Sequence, residues 1–130
     1  MLQPEFLRPA VLPGAFRLTD DVLSKGKVDL LFVEAAVNDD TNGFSAIEQV
    51  RGMEGIVRHA LVSNPSMDIM MLHFIYDPFI PKLAKADADV ILNHERVANH
   101  YLLPSVNLAS EIAARCGVVN HMGTVWRHTS

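Results

Sequence analysis

The strongest pattern along the chain is a pair of near-continuous apolar runs. They occupy residues 28–37 and 67–75, with the sequences VDLLFVEAAV and MDIMMLHFI. Runs of this length are too short for typical helices, and they are typical of strands buried on both faces of a parallel sheet. A shorter run at 104–108, PSVNL, predicts a third strand.

Apolar residues at helical spacing occupy the intervals between these runs. The clearest helix is predicted over residues 44–62, and further helices are predicted at 16–25, 88–101 and 110–115. Gly52 and Gly55 interrupt the long helix, and we expect them to allow its close packing on the sheet. Residues 1–13 are proline-rich and predict an irregular lead-in, and residues 117–130, which lack a clear period, predict an irregular tail.

The alternation of strands and helices predicts the fold class. It indicates α/β architecture in one domain, with right-handed crossovers and a parallel sheet covered by helices on both faces, as in three-layer flavodoxin-like folds. Ligands of such sheets bind at the carboxyl ends of the strands. Here those ends are the polar stretches Asn38-Asp39-Asp40 and Tyr76-Asp77-Pro78, together with Asn107.

The amino-acid composition limits the kinds of partner and environment that we expect for this chain. The 130 residues are 49% hydrophobic and 20% charged, which predicts a folded chain. The formal net charge is −4 with no basic run, so we expect no nucleic acid partner. No apolar run approaches the length that spans a bilayer, and the proline-broken start does not fit a signal peptide. The one cysteine, Cys116, excludes an internal disulfide, and we expect it to be buried or inert.

The first strand end carries the most informative polar residues. An asparagine amide at Asn38 could donate a hydrogen bond to negative charge that develops on a substrate oxygen. Asp39 and Asp77 are the candidate substrate-binding residues beside it. The alternative is that Asn38 or Asp39 only turns the chain and caps the following helix.

The histidines do not form a metal-binding pattern. His73 lies inside the second predicted strand, where a buried, hydrogen-bonded ring is the expected state. His94 and His100 are six residues apart, which is not the i, i+4 spacing of helical metal ligands. His59 is expected on the solvent side of the long helix. We therefore expect neither a metal nor a cofactor.

Two segments resemble the central part of the SGNH (GDSL-type) hydrolase family. They are GAFRLTDDVLSKGKVDLLFVEAAVND, residues 14–39, and HERVANHYLLPSVNLASEIA, residues 94–113. In that family a strand ends in Gly-x-Asn-Asp, and its asparagine helps to form the oxyanion hole. The matching residues here are Ala36-Val37-Asn38-Asp39, with alanine in place of glycine. The resemblance covers roughly residues 14–115.

Other motifs of that family have no counterpart. The chain has no Gly-Asp-Ser motif for the nucleophile, and none of its seven serines follows a buried strand in that way. No aspartate follows Asp89, so the Asp-x-x-His motif of the catalytic histidine is absent as well. The resemblance implies a partial domain of a carboxylic ester hydrolase, acting on acylated carbohydrate or lipid. Because these motifs are missing, we expect the chain to be catalytically inactive.

The pattern leaves a second interpretation open. A non-catalytic flavodoxin-like binding or receiver-type signalling domain also carries an acidic pair after a strand, here Asp39-Asp40, with Asp77 as the phosphoryl acceptor. No lysine follows Lys85 to pair with a phosphoryl group, which weighs against it. Under the hydrolase interpretation the sheet lacks its first strand. An exposed edge invites pairing, so we expect self-association or poor solubility.

Overall fold

A computed structural model describes residues 10–116 and contains a three-stranded parallel sheet. Its strands are β1 (Leu30–Val33), β2 (Asp68–His73) and β3 (Ser105–Asn107), in the spatial order β1-β2-β3. Leu31 of β1 lies opposite Ile69, and Met71 of β2 lies opposite Ser105. The predicted α/β class with three parallel strands is confirmed.

Six helices accompany the strands in the described part of the chain. They are α1 (Val11–Asp21), α2 (Ala36–Asn42), α3 (Ala46–Ser63), α4 (Ile80–Leu83), α5 (Asp89–Tyr101) and α6 (Leu108–Arg115). The long helix α3 begins with a capping box, because the Ser45 hydroxyl accepts from the Glu48 backbone and the Glu48 carboxylate accepts from the Ser45 backbone. The short α4, which follows a 3₁₀ turn at Asp77–Phe79, was not predicted.

One face of the sheet forms the main core. Leu31 and Val33 of β1 and Ile69 and Met71 of β2 are buried among side chains from α1, α3 and α5. A second apolar cluster lies around Phe79, Leu83, Ile91 and Ala109, where α4, α5 and α6 meet.

The opposite face of β1 is uncovered. Leu30 is 50% exposed and Phe32 is 52% exposed, and Phe74, just after β2, and Val106 of β3 are exposed as well. The expectation that the first strand would be buried on both faces was therefore wrong. An apolar run predicts that a strand forms, but it does not predict which elements pack on its two faces. No described helix packs over Leu30 and Phe32.

The first strand is also shorter than predicted, and the expected polar loop after it is helical. The backbone leaves the sheet after Val33, and α2 occupies residues 36–42. Thr41 and Asn42 donate their side-chain hydrogens to the carbonyls of Val37 and Asn38, four residues earlier. Gly43 then ends the helix with a φ of 68°, a left-handed conformation that suits glycine.

Helix α1 begins at Val11, inside the stretch that was expected to be an irregular lead-in. Pro13 does not prevent this, because proline is tolerated in the first helical turn. The two glycines of α3 were predicted to pack on the sheet, but they pack on α1. A Cβ on Gly52 would lie 2.6 Å from the Val11 side chain, so this glycine allows α3 to approach α1 rather than the sheet. The remaining lead-in, residues 1–9, and the predicted tail, residues 117–130, lie outside the described residues.

Candidate functional site

Asn38 lies at the carboxyl end of the sheet, in the first turn of α2. Its side chain is half-buried, and its amide makes no hydrogen bond to another described residue. The capping alternative is not supported, since Ala35 occupies the N-cap of α2 and Ser45 caps α3. The Asn38 amide group therefore has no hydrogen-bond partner among residues 10–116.

Asp39 is fully buried and holds three helices together. Its Oδ1 accepts a hydrogen bond of 2.8 Å from the backbone N–H of Val11, at the first turn of α1. Its Oδ2 lies 2.9 Å from Nε2 of His94, which is also fully buried on α5. Because both oxygens are engaged inside the protein, Asp39 positions α1, α2 and α5 and does not face solvent.

Asp40 links α2 to the segment that follows β2. The Tyr76 hydroxyl donates to its Oδ2, and the Lys82 ammonium lies 2.9 Å from its Oδ1. Desolvation opposes ionisation of Asp40, but these two contacts outweigh it and lower the pKa of the carboxyl group. Desolvation and the bond to Asp40 raise the pKa of Tyr76, so its hydroxyl is a donor and not a nucleophile.

Asp77 directly follows Tyr76 and begins the 3₁₀ turn. Its side chain is exposed and forms no hydrogen bond to another described residue. The bond between Asp40 and Tyr76 therefore brings the two predicted strand ends together. Asn107, at the third strand end, caps α6 by accepting from the Ser110 backbone N–H and donates to Asp87.

His73 is buried within β2, as predicted. Its Nε2 lies 2.6 Å from Oε1 of Glu95, and the Ser105 hydroxyl donates to the other oxygen of the same carboxylate. Burial lowers the pKa of His73, and the bond to Glu95 only partly opposes this. The rings of His73 and His94 lie side by side with centroids 6.1 Å apart.

Sequence reasoning missed Glu34, which lies just after β1. Burial raises the pKa of its carboxyl group, against the opposing effect of backbone N–H groups of Val37, Phe74 and Ala36. The sequence did mark this position. The run VDLLFVEAAV has two charged residues, and Glu34 is the one that lies away from its start. A carboxyl group inside an apolar run is costly to bury and for that reason points to a special environment.

No serine hydroxyl is hydrogen-bonded to a histidine between residues 10 and 116. The Ser105 and Ser110 hydroxyls donate to the carboxylates of Glu95 and Asp87, which do not activate them as an imidazole would.

Within the described ranges, no three histidine, cysteine, aspartate or glutamate side chains converge in a way that could hold a metal ion. Cys116 was expected to be buried or inert, and its exposure contradicts the burial. Of the helices described, none combines the length and apolar character needed to cross a membrane.

Comparison of the chain with models of protein families, with curated proteins and with solved structures gave no match.

Proposed function

We propose that this chain is the central part of an SGNH-type ester hydrolase domain, in which Asn38 supplies a side-chain donor to the oxyanion hole. The observation that carries the proposal is the position of Asn38. It lies in the first turn of α2, five residues after β1 ends, half-buried, with an amide that no other described residue engages. An oxyanion donor needs this combination of fixed position and unused hydrogen-bonding capacity.

The sheet topology supports the proposal. The order β1-β2-β3, with consecutive strands as neighbours, is what the last three strands of a flavodoxin-like 2-1-3-4-5 sheet would give. In that arrangement the remaining strands would pair with the free edge of β1. The apolar face around Phe32 is consistent with an absent layer, because parallel sheets are normally covered on both faces.

The chemistry follows from what is present. The substrates would be carboxylic esters, such as acylated carbohydrates or lipids, as in the family that the sequence resembles. Acyl transfer needs a nucleophile, a base in hydrogen-bond reach and an oxyanion donor. The described residues offer only the donor, so this chain by itself should not turn over esters.

The first experiment is hydrolysis of a short-chain p-nitrophenyl ester by the purified chain. We expect a rate equal to the buffer blank, because loss of either the serine nucleophile or the histidine base of such an enzyme costs about a millionfold in rate. Turnover above the blank that a serine-directed phosphonate abolishes would contradict this, and mass-mapping of the adduct would identify the serine.

The second experiment tests Asn38 itself. Residues 10–116 are joined to a strand with Gly-Asp-Ser and its helix, and to an Asp-x-x-His segment, both from an active SGNH hydrolase. In an active chimera, Asn38→Ala should lower kcat by about a hundredfold to a thousandfold. Asn99→Ala, at an exposed position on α5, is the matched control and should leave kcat within about twofold. Equal kcat for Asn38→Ala and Asn99→Ala would remove the oxyanion assignment.

The receiver-type alternative has less support. It needs an acidic pair that is free to bind a cation beside the phosphoryl acceptor. Asp39 is buried against His94 and Val11, and Asp40 is engaged by Tyr76 and Lys82. Labelling of Asp77 by acetyl phosphate would nevertheless favour that alternative over the hydrolase.

A further inference from the structure

Helices α3 and α5 pack side by side and leave a groove on their outer surface. Two adjacent cavities of about 250 and 190 Å³ lie along it, and both are lined by Val50 and Arg96. Asn93 of α5 donates a hydrogen bond of 2.8 Å to Gln49 of α3, which fixes the two helices relative to each other. The groove is therefore a preformed feature of the surface.

Three exposed arginines surround this groove, and none of them has a carboxylate partner among residues 10–116. Arg51 and Arg96 line it directly. Arg58 lies at its other end, where its charge opposes the rise in the pKa of Tyr101 that desolvation and the bond to Glu54 produce. None of the three forms an ion pair with another described residue, whereas Arg17 and Arg115 each pair with an acidic residue four positions away.

The neighbouring acidic side chains are already engaged. Glu54, which lines the larger cavity, accepts a hydrogen bond of 2.9 Å from the Tyr101 hydroxyl. Glu48, near the other end of α3, is held by Ser45 in the capping box. Both glutamates keep their charge, so the three arginines leave the groove with a net positive charge, on a chain whose formal net charge is −4.

The spacing of these groups suits a peptide better than a small anion. Arg51 and Arg58 are seven residues apart on α3, which places them about 10 Å apart along the helix axis. Apolar surface lies between and beside the charges, from Val50, Val97 and Ile47, the last of which is 63% exposed. Carboxylates separated by apolar side chains would complement this surface.

We propose that the α3–α5 groove is a docking site for an acidic, amphipathic peptide segment of another protein, with its carboxylates on Arg51, Arg58 and Arg96. This site is separate from the strand end that carries Asn38. Its charge and its apolar lining together define the partner, because the arginines favour carboxylates and the surface of Ile47 and Val50 favours aliphatic side chains between them.

The test uses the full chain and a fluorescein-labelled peptide of about 14 residues, built of glutamate and leucine with the leucines at helical spacing. Fluorescence anisotropy gives the dissociation constant. Raising NaCl from about 50 to about 300 mM should weaken binding, because exposed charges are screened. Arg51→Gln and Arg96→Gln should each weaken it about threefold to fivefold, and the double variant more.

The controls separate the groove from net charge. Arg17→Gln removes the same charge from α1 and should change the dissociation constant by less than about twofold. A peptide with glutamine in place of glutamate should bind weakly, and one with lysine should not bind. No binding by the parent chain, equal binding by all variants, or equal binding of the glutamine peptide would overturn the proposal. An oligonucleotide that competes as well as unlabelled peptide would overturn the peptide assignment.

Discussion

At the scale of single residues, Asp39 has the largest structural role at the candidate site. It satisfies the backbone N–H of Val11 at an otherwise unpaired helix start and pairs with the buried His94. A carboxylate in this place joins three segments that are far apart in the sequence. Removing it leaves two buried polar groups without a partner.

We therefore expect Asp39→Ala to lower the free energy of unfolding by about 3 to 5 kcal/mol, as when one member of a buried pair is deleted. Urea unfolding followed by circular dichroism measures the change. Asp29→Ala is the control, because Asp29 pairs with Lys27 at the exposed surface and such pairs contribute less than about 1 kcal/mol. Equal effects of the two substitutions would contradict the assigned role.

His73 makes stability depend on pH. Its folded-state pKa lies below its ordinary value of 6.5, so the unfolded chain takes up a proton first as the pH falls. This contribution to stability is complete above pH 6.5 and is lost as the pH falls through the folded-state pKa. The charged or titratable groups around the ring are Glu95, His94 and Asp87.

We expect the free energy of unfolding to fall between about pH 7.5 and pH 5.5, by at most about 1.4 kcal/mol per pH unit from this residue. In His73→Gln this slope should be smaller, whereas His100→Gln, at an exposed position on α5, should keep it. Urea titrations at several pH values give the slope. Glu34 changes stability with pH in the opposite direction, because its raised pKa favours the folded state at lower pH. The two variants are therefore compared above about pH 5.5.

At the scale of elements, the contact between α1 and α3 depends on Gly52. A Cβ there would lie 2.8 Å from the Leu12 backbone nitrogen and 2.9 Å from the Val11 carbonyl carbon, and backbone atoms cannot yield without moving α1. Gly55 meets only the Ala15 Cβ, at 3.0 Å. The two glycines therefore differ in how rigid their neighbours are.

We expect Gly52→Ala to lower the free energy of unfolding by about 1 to 3 kcal/mol, the usual range for overpacking, despite the higher helix propensity of alanine. Gly55→Ala should cost less, since propensity offsets about 1 kcal/mol of its crowding. Thermal and urea unfolding of both variants test this order. Stabilisation by Gly52→Ala would show that α1 shifts freely on α3.

At the scale of the whole molecule, the open side of the sheet is the surface on which we expect self-association. Among residues 10–116, β1 is an edge strand of the sheet, and its uncovered face exposes Leu30 and Phe32. Free backbone groups beside apolar side chains favour pairing with another chain. The predicted self-association thus has an identifiable surface.

We expect the chain to sediment as a concentration-dependent mixture of monomer and larger species. Phe32→Lys should shift it towards monomer, because a charge on an edge strand opposes pairing. Phe16→Lys is the matched control, since Phe16 is a 75% exposed phenylalanine on α1, away from the sheet. A stable monomer of the parent chain, or equal effects of both substitutions, would count against this surface.

The sequence by itself determined the α/β class and the three parallel strands. Local periodicity carries that information, because buried strands and amphipathic helices have different spacings of apolar residues. It also predicted His73 as a buried residue, since that ring interrupts an apolar strand.

Only the tertiary structure decided the rest. Residues 36 and 37 were predicted as the end of a strand and the polar residues from Asn38 onward as a loop, but residues 36–42 form α2. In that helix Asp39 contacts a histidine 55 positions away and Asp40 contacts a tyrosine 36 positions away. Packing between elements also decides three other features. They are the uncovered face of β1, the close approach of α1 and α3 at Gly52, and the arginine-lined groove between α3 and α5. A pattern along the chain fixes the face of each element, but the partner of that face is set by packing between segments distant in sequence.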